Sequence, residues 1–273
     1  MSTAIPSELI AADGERPLAG QVVVITGGGR GIGRAIATRF AAAGASVVCA
    51  ARTVEELEST VGAISRSGGE ALAVPTDVRD KHAVDALVRR TVETYGRLNI
   101  AVLGAGVMPA QAPIDEIPLE WWQQCVETNL NGVFFGLQAV VPPLREAGGG
   151  KVIVLGSGAA RRASSGLAHF AATKAGLSVL VRVAARDLRH DRIAINELQP
   201  GPTATAMHGV QESDPDTLAE REVILSGEGL EDDRTLAGEW FKSPRNVADF
   251  AFYLATLPNH GPSGQIFSYN SPI

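Results

Sequence analysis

The chain has 273 residues, 45% of them hydrophobic and 20% charged, which is ample apolar sequence for a large buried core. A net charge of −6 and the lack of any Lys/Arg-rich tract argue against a nucleic-acid partner. Apolar runs such as 22–25 and 100–107 are strand-length and far short of a membrane span. Residues 1–20 are rich in small residues and turn formers, with no basic start before an apolar core. They read as a flexible leader, not a signal peptide. From residue 21 short β-branched runs alternate with alanine-rich helical stretches. Strands are predicted in QVVVITG, ASVVCAAR, ALAVPTDV, LNIAVLGAG, KVIVLGSG and IAINELQPG, and helices at 31–43, 54–67 and about 81–95, 120–146 and 166–190. Nearly continuous apolar strands separated by helices predict an α/β fold: a single doubly wound parallel sheet, Rossmann-type, with helices on both faces, over 21–273.

Residues 206–240 interrupt this rhythm with a polar, acidic stretch. It reads as a solvated excursion or as a substrate flap, and its place directly after Gln199-Pro200-Gly201 favours the flap. A helix at about 244–255 and a strand near 264–269 close the chain. Cys49 and Cys125 lie inside apolar stretches and read as core thiols in a reducing cytoplasm. The five histidines are scattered without metal-site spacing.

The chemistry begins at TGGGRGIG, residues 26–33, between the first strand and first helix. Glycines there let a pyrophosphate approach backbone at a helix N-terminus, so Gly27, Gly31, Ile32 and Gly33 are candidate dinucleotide contacts. An acid at the end of the second strand would bind adenosine ribose hydroxyls and repel a 2′-phosphate. The chain has Ala50-Ala51-Arg52-Thr53 instead, and Arg30 sits inside the glycine loop. Either arginine alone reads as a surface charge; together, with no acid, they favour NADP(H) over NAD(H). Ser157 follows the strand KVIVLG, at the carboxyl end of the sheet where α/β sites form. Phe170 and Lys174, four apart, share one face of the helix that carries them.

TGxxxGxG is the glycine spacing of the short-chain dehydrogenase/reductase family, and residues 20–205 resemble that family in most segments. Its active-site quartet of Asn, Ser, Tyr and Lys is matched by Asn129, Ser157 and Lys174, with Phe170 where the tyrosine belongs. Asp77-Val78 are similar to its adenine-contacting pair. Pro200, Gly201, Thr203 and Thr205 lie in a segment similar to its nicotinamide-contacting PGxxxT. Leu103-Gly104-Ala105-Gly106 stands where the family has NNAG; Gly104, Ala105 and Gly106 keep the small passage beside the cofactor, while two amide side chains are lost. The resemblance implies a ketone/secondary-alcohol oxidoreductase in which tyrosine donates a proton and lysine lowers the phenol's pKa and holds the nicotinamide ribose. In it, serine binds the substrate oxygen and asparagine anchors a water chain. It also implies a homodimer or homotetramer built on the helices at 120–146 and 166–190, whose Val133, Leu137, Val140, Leu177, Leu180 and Val181 exceed what one face needs.

Phe170 fills the tyrosine's space without its proton. His169 points to another face, Thr173 carries a poor aliphatic acid, and His208 would have to reach in from the flap. Three explanations stand: a deliberate Tyr→Phe change made to trap a complex, which the intact partners favour; a natural enzyme with another donor; and a non-redox, NADP(H)-binding catalyst or sensor. Trp121-Trp122 read as helix-packing aromatics in preference to a substrate wall. The partner expected is a small carbonyl or alcohol compound, with no nucleic acid and no membrane.

Overall fold

Seven short strands rich in Val, Ile and Ala pair side by side, all parallel, in the order β3-β2-β1-β4-β5-β6-β7. They are β1 Val22–Thr26, β2 Ser46–Ala51, β3 Glu70–Pro75, β4 Ile100–Leu103, β5 Gly150–Leu155, β6 Ile193–Gln199 and β7 Ile266–Ser268. The structure is a computed structural model and describes residues 16–208 and 242–269. The leader at 1–15 and the flap from 209 to 240 lie outside the described residues.

Strand residues alternate between two apolar layers because successive side chains leave opposite faces of the pleat. Val23 and Ile25 face one layer with Ile36 and Phe40 of α1 (Gly31–Ala42) and Phe252 of α8 (Pro244–Thr256). Val24 faces the other, with Leu87 of α3 (Lys81–Tyr95), Leu137 of α5 (Gly132–Glu146) and Leu177 of α7 (Ala168–Asp187). The sheet is thus covered on both faces, the Rossmann-type arrangement. A third helix on the first face, α2 (Val54–Arg66), packs Leu57 and Ile64 into the same layer as α1.

The helix expected over 120–146 is broken. It divides into α4 (Leu119–Cys125), a π-helical turn (Val126–Asn131) and α5. A π turn fits one more residue into the helix and re-aims side chains; here it buries Thr128 and Asn129. Asn129 then exchanges two hydrogen bonds with the Val107 backbone, at 2.8 and 2.9 Å, offsetting the irregular helix bonds. The helix expected at 166–190 is shorter, and a one-turn helix, α6 (Ala159–Arg162), precedes it. The apolar residues expected at a subunit interface are otherwise engaged. Val133, Leu137, Val140, Leu177 and Val181 are buried in the chain's own core, and Leu180 packs against it. On α5 and α7 the exposed large apolar side chains are Phe134, Val179 and Val183.

Candidate active site

The chain runs from β1 outward to β3 and returns to place β4 on the other side of β1. Helices therefore diverge at the β1/β4 boundary, and a crevice opens beyond the strands' carboxyl ends. A cleft of about 370 Å³ occupies that position. It is lined by all the sequence-predicted site residues except Asn129.

The glycine loop forms one wall. Gly27 has φ +76°, and a Cβ there would press against the backbone of Gly104 and Ala105 at 3.1 Å. A Cβ on Gly33 would overlap the Gly27 carbonyl. Only glycine allows the first turn of α1 to close so tightly on the loop, which leaves bare backbone at a helix N-terminus facing the cleft. Across it, Thr26 braces the backbone of Gly104 and Ala105. Its hydroxyl accepts from the backbone N–H of Gly104 at 3.0 Å and of Ala105 at 3.2 Å. Thr26 opens the glycine motif, and its sequence position alone gave no sign of these bonds.

At the far end, Arg52 and Thr53 follow β2, and Arg30 projects from the loop, largely exposed. Glu56, one turn into α2, also lines the cleft and lies 3.8 Å from Arg30. An acid is therefore present after all, though it comes from the helix and not from the strand end searched by sequence. Asp77 closes this region with both carboxylate oxygens on the Arg79 guanidinium, at 2.6–3.0 Å. The Arg79 hydrogen bonds hold its carboxyl below the usual range, against a smaller opposing effect of burial. Val78 is buried beside it.

The reacting-centre residues converge at the other end. Ser157 follows β5, and its Oγ accepts from the Ala159 N–H at 3.2 Å, a bond that fixes the hydroxyl at the cleft wall. Phe170 and Lys174 both line the cleft and both are buried. The Lys174 Nζ lies 5.8 Å from the centre of the Phe170 ring and donates to the Leu155 carbonyl at 2.8 Å. Burial pulls the lysine down to about 8, opposed by Glu197 first and Cys125 second. Asn129 stands behind the wall, fully buried, bracing Val107 and reaching Thr173 Oγ1 at 3.4 Å. Pro200, Gly201, Thr203 and Thr205 complete the rim after β6.

Neither His169 nor Thr173 is brought to the cleft surface. Thr173 is buried and donates its hydroxyl to the Phe170 carbonyl at 2.8 Å. His169 is fully buried beside Trp121, and burial lowers its pKa, opposed by a weaker effect of the Pro109 backbone. The side chain of His208 lies outside the described residues. Trp121 packs as expected, whereas Trp122 is exposed. Met108, Arg162 and Leu167, which the sequence did not single out, also line the cleft, with Met207 from the start of the stretch read as a flap. Cys49 and Cys125 are buried free thiols, pushed up to about 12 and about 11 by burial. No helix among the described residues is long and apolar enough to cross a membrane.

Residues 21–216 match the family model described as short chain dehydrogenase. A 3beta-hydroxysteroid dehydrogenase from Eggerthella lenta is 34% identical over 230 residues, covering 83% of this chain and 88% of the relative. Among solved structures, a 7 alpha-hydroxysteroid dehydrogenase complexed with NADH and 7-oxo glycochenodeoxycholic acid superposes with TM-score 0.76, 29% identity and coverage of 92% and 93%. An alcohol dehydrogenase from the archaeon Thermococcus sibiricus, complexed with 5-hydroxy-NADP, gives TM-score 0.77 at 25% identity, covering 92% of this chain and 96% of that one.

Proposed function

The chain belongs to the short-chain dehydrogenase/reductase family of oxidoreductases, and from that premise we propose that it is an NADP(H)-dependent oxidoreductase for a ketone/secondary-alcohol pair, weakened at proton transfer. The observation that carries this reading is the cleft that joins the glycine loop to Ser157, Phe170 and Lys174. The cradle fits a dinucleotide: Gly27 and Gly33 leave room at a helix N-terminus where a side chain would intrude. In this reading Gly27, Gly31, Ile32 and Gly33 hold the pyrophosphate, and Asp77 and Val78 hold the adenine. Arg52 and Arg30 hold the 2′-phosphate, and Thr203, Thr205 and Lys174 hold the nicotinamide riboside. When bound, the nicotinamide supplies hydride.

Ser157 donates to the substrate oxygen as negative charge grows there, the point at which a fixed donor helps most. Lys174, as an ammonium, adds a positive field from the cleft floor. Asn129 keeps the 106–108 backbone in place between them. Phe170 excludes water from that floor but gives no proton, and general acid catalysis is worth about 10²–10⁴-fold. That loss also favours a second reading, a non-redox catalyst or sensor that binds the cofactor without turning it over. Exposed Phe134, Val179 and Val183 support association into a homodimer or homotetramer, which light scattering would contradict by finding a monomer at micromolar concentration.

Calorimetry with NADPH and NADH, followed by NADPH oxidation against a panel of ketones, tests the proposal. Tight NADPH binding, at least tenfold stronger than NADH, with slow but measurable turnover is expected. Binding without turnover on any ketone, in this chain and in Phe170→Tyr, would leave the non-redox reading.

A further inference from the structure

Behind the reacting centre lies a charged side chain that the proposed chemistry does not use. Glu197 on β6 is fully buried, on the same face of the strand as the core residues Ile193 and Ile195. Its Oε1 accepts from the Gln199 amide at 2.8 Å, while its Oε2 and the Gln199 Oε1 have no hydrogen-bond partner. A carboxylate in such a place is costly unless a cation faces it. The carboxylate fills the space in which a side chain on Gly156 would begin, so a Cβ there would overlap it. Gly156 follows Leu155, the residue whose carbonyl takes the Lys174 hydrogen bond. Strand register places Val154 beside Glu197 and Leu155 beside Leu198. Glutamate and lysine therefore flank the same short piece of β5.

We propose that Glu197 is the positioning residue for Lys174: set behind Gly156, its carboxylate keeps the buried lysine an ammonium in a site that has no phenol. What the ammonium grips, the nicotinamide ribose, rests on the cofactor reading above. The other groups facing the lysine cannot take this role. Phe170 offers only a ring, Asn129 is committed to Val107 and Thr173, and Cys125 is a thiol pushed up to about 11. Of the two ionisable neighbours that oppose the lysine's loss of its proton, Glu197 has the larger effect. The glycine at 156 follows from the same arrangement, because any side chain there would displace the carboxylate.

The test is the pH dependence of NADPH binding, followed by the fluorescence of the bound cofactor, for the unaltered protein, Glu197→Gln and Lys174→Met. In the unaltered protein affinity should hold to about pH 8 and fall as the lysine discharges. Glu197→Gln should move that fall to lower pH by about one unit or more, since an opposite charge has been removed, and Lys174→Met should abolish it. Superimposable profiles for Glu197→Gln and the unaltered protein would overturn the proposal. A second measurement leaves Glu197 in place and covers the case in which Glu197→Gln does not fold. Infrared spectra at neutral pH should show the C=O stretch of a protonated carboxylic acid in Lys174→Met and not in the unaltered protein. Its absence from Lys174→Met would overturn the pairing. Failure of the unaltered protein to bind NADPH would overturn the cofactor reading instead, and the infrared band would then decide the pairing by itself.

Discussion

At the end of the cleft proposed for the adenosine, the lining groups are backbone and guanidinium: a glycine loop that tolerates no Cβ, two arginines and a carboxylate locked on Arg79. At the reacting end they are single side-chain atoms, each fixed by one or two hydrogen bonds, and one position carries no polar atom at all. The first end depends on the path of the main chain and survives most side-chain changes. The second depends on a few oxygens and nitrogens and can be disabled by one. The proposed reading therefore separates cofactor binding from turnover, and substitutions at the two ends should fail in different ways.

The largest effect expected at the adenosine end comes from Gly33→Val. Its side chain would begin inside the Gly27 carbonyl, so the loop must move. Unfolding by urea should show a loss of about 1–3 kcal/mol, the usual cost of overpacking, and calorimetry should detect no NADPH binding. Retained binding would mean the pyrophosphate is held elsewhere. Arg52→Asp is expected to come next. It replaces attraction by repulsion at the 2′-phosphate, on the order of 2–4 kcal/mol in a partly buried site, and should bring NADH close to parity. Because Glu56 already lies 3.8 Å from Arg30, Arg30→Ala should weaken NADPH less than Arg52→Asp does. The reverse order would make Arg30 the principal phosphate ligand.

A smaller effect belongs to the reacting end and is read from stability. Burial lowers Lys174 to about 8 from an ordinary 10.5. Between those values the unfolded chain binds more protons than the folded one, so this group's contribution to stability rises with pH across that window. Below about pH 8 the lysine is charged in both states and its full burial penalty stands. Urea unfolding of the protein and of Lys174→Met should therefore show the stability difference moving in favour of the unaltered protein from pH 8 to pH 10. A pH-independent difference would place the lysine in water.

The sheet and its helices were legible because most strands are nearly continuous apolar runs and several helix boundaries carry a glycine or a polar cap. Asp80 accepts from the His82 N–H, and Ser243 with Asn246 forms a capping box. The π turn at Val126–Asn131 was not legible, since one extra residue in a helix leaves no mark on apolar periodicity. It matters because it sets Asn129 behind the cleft wall instead of in its lining. The glycine loop, Ser157, Phe170 and Lys174 could be found from local spacing. Glu56, Glu197 and the contacts made by Thr26 could not, because each involves residues brought close only by the sheet or by a neighbouring helix. Residues such as Val133 and Leu177 misled in the other direction: a sheet covered by three helices on one face absorbs more apolar side chains than a single amphipathic stripe suggests.

Phe170→Tyr tests the separation of binding from turnover most directly, measured as kcat and KM on a ketone that the protein reduces or binds. With Ser157, Lys174 and the cofactor cradle in place, the restored phenol should raise kcat by about 10²-fold or more. KM and the NADPH Kd should change by less than about tenfold, the equivalent of one hydrogen bond. The rate should also gain a pH dependence set by a phenol beside a lysine. A variant that binds NADPH and ketone yet turns over no faster than the unaltered protein would contradict a site built for reduction.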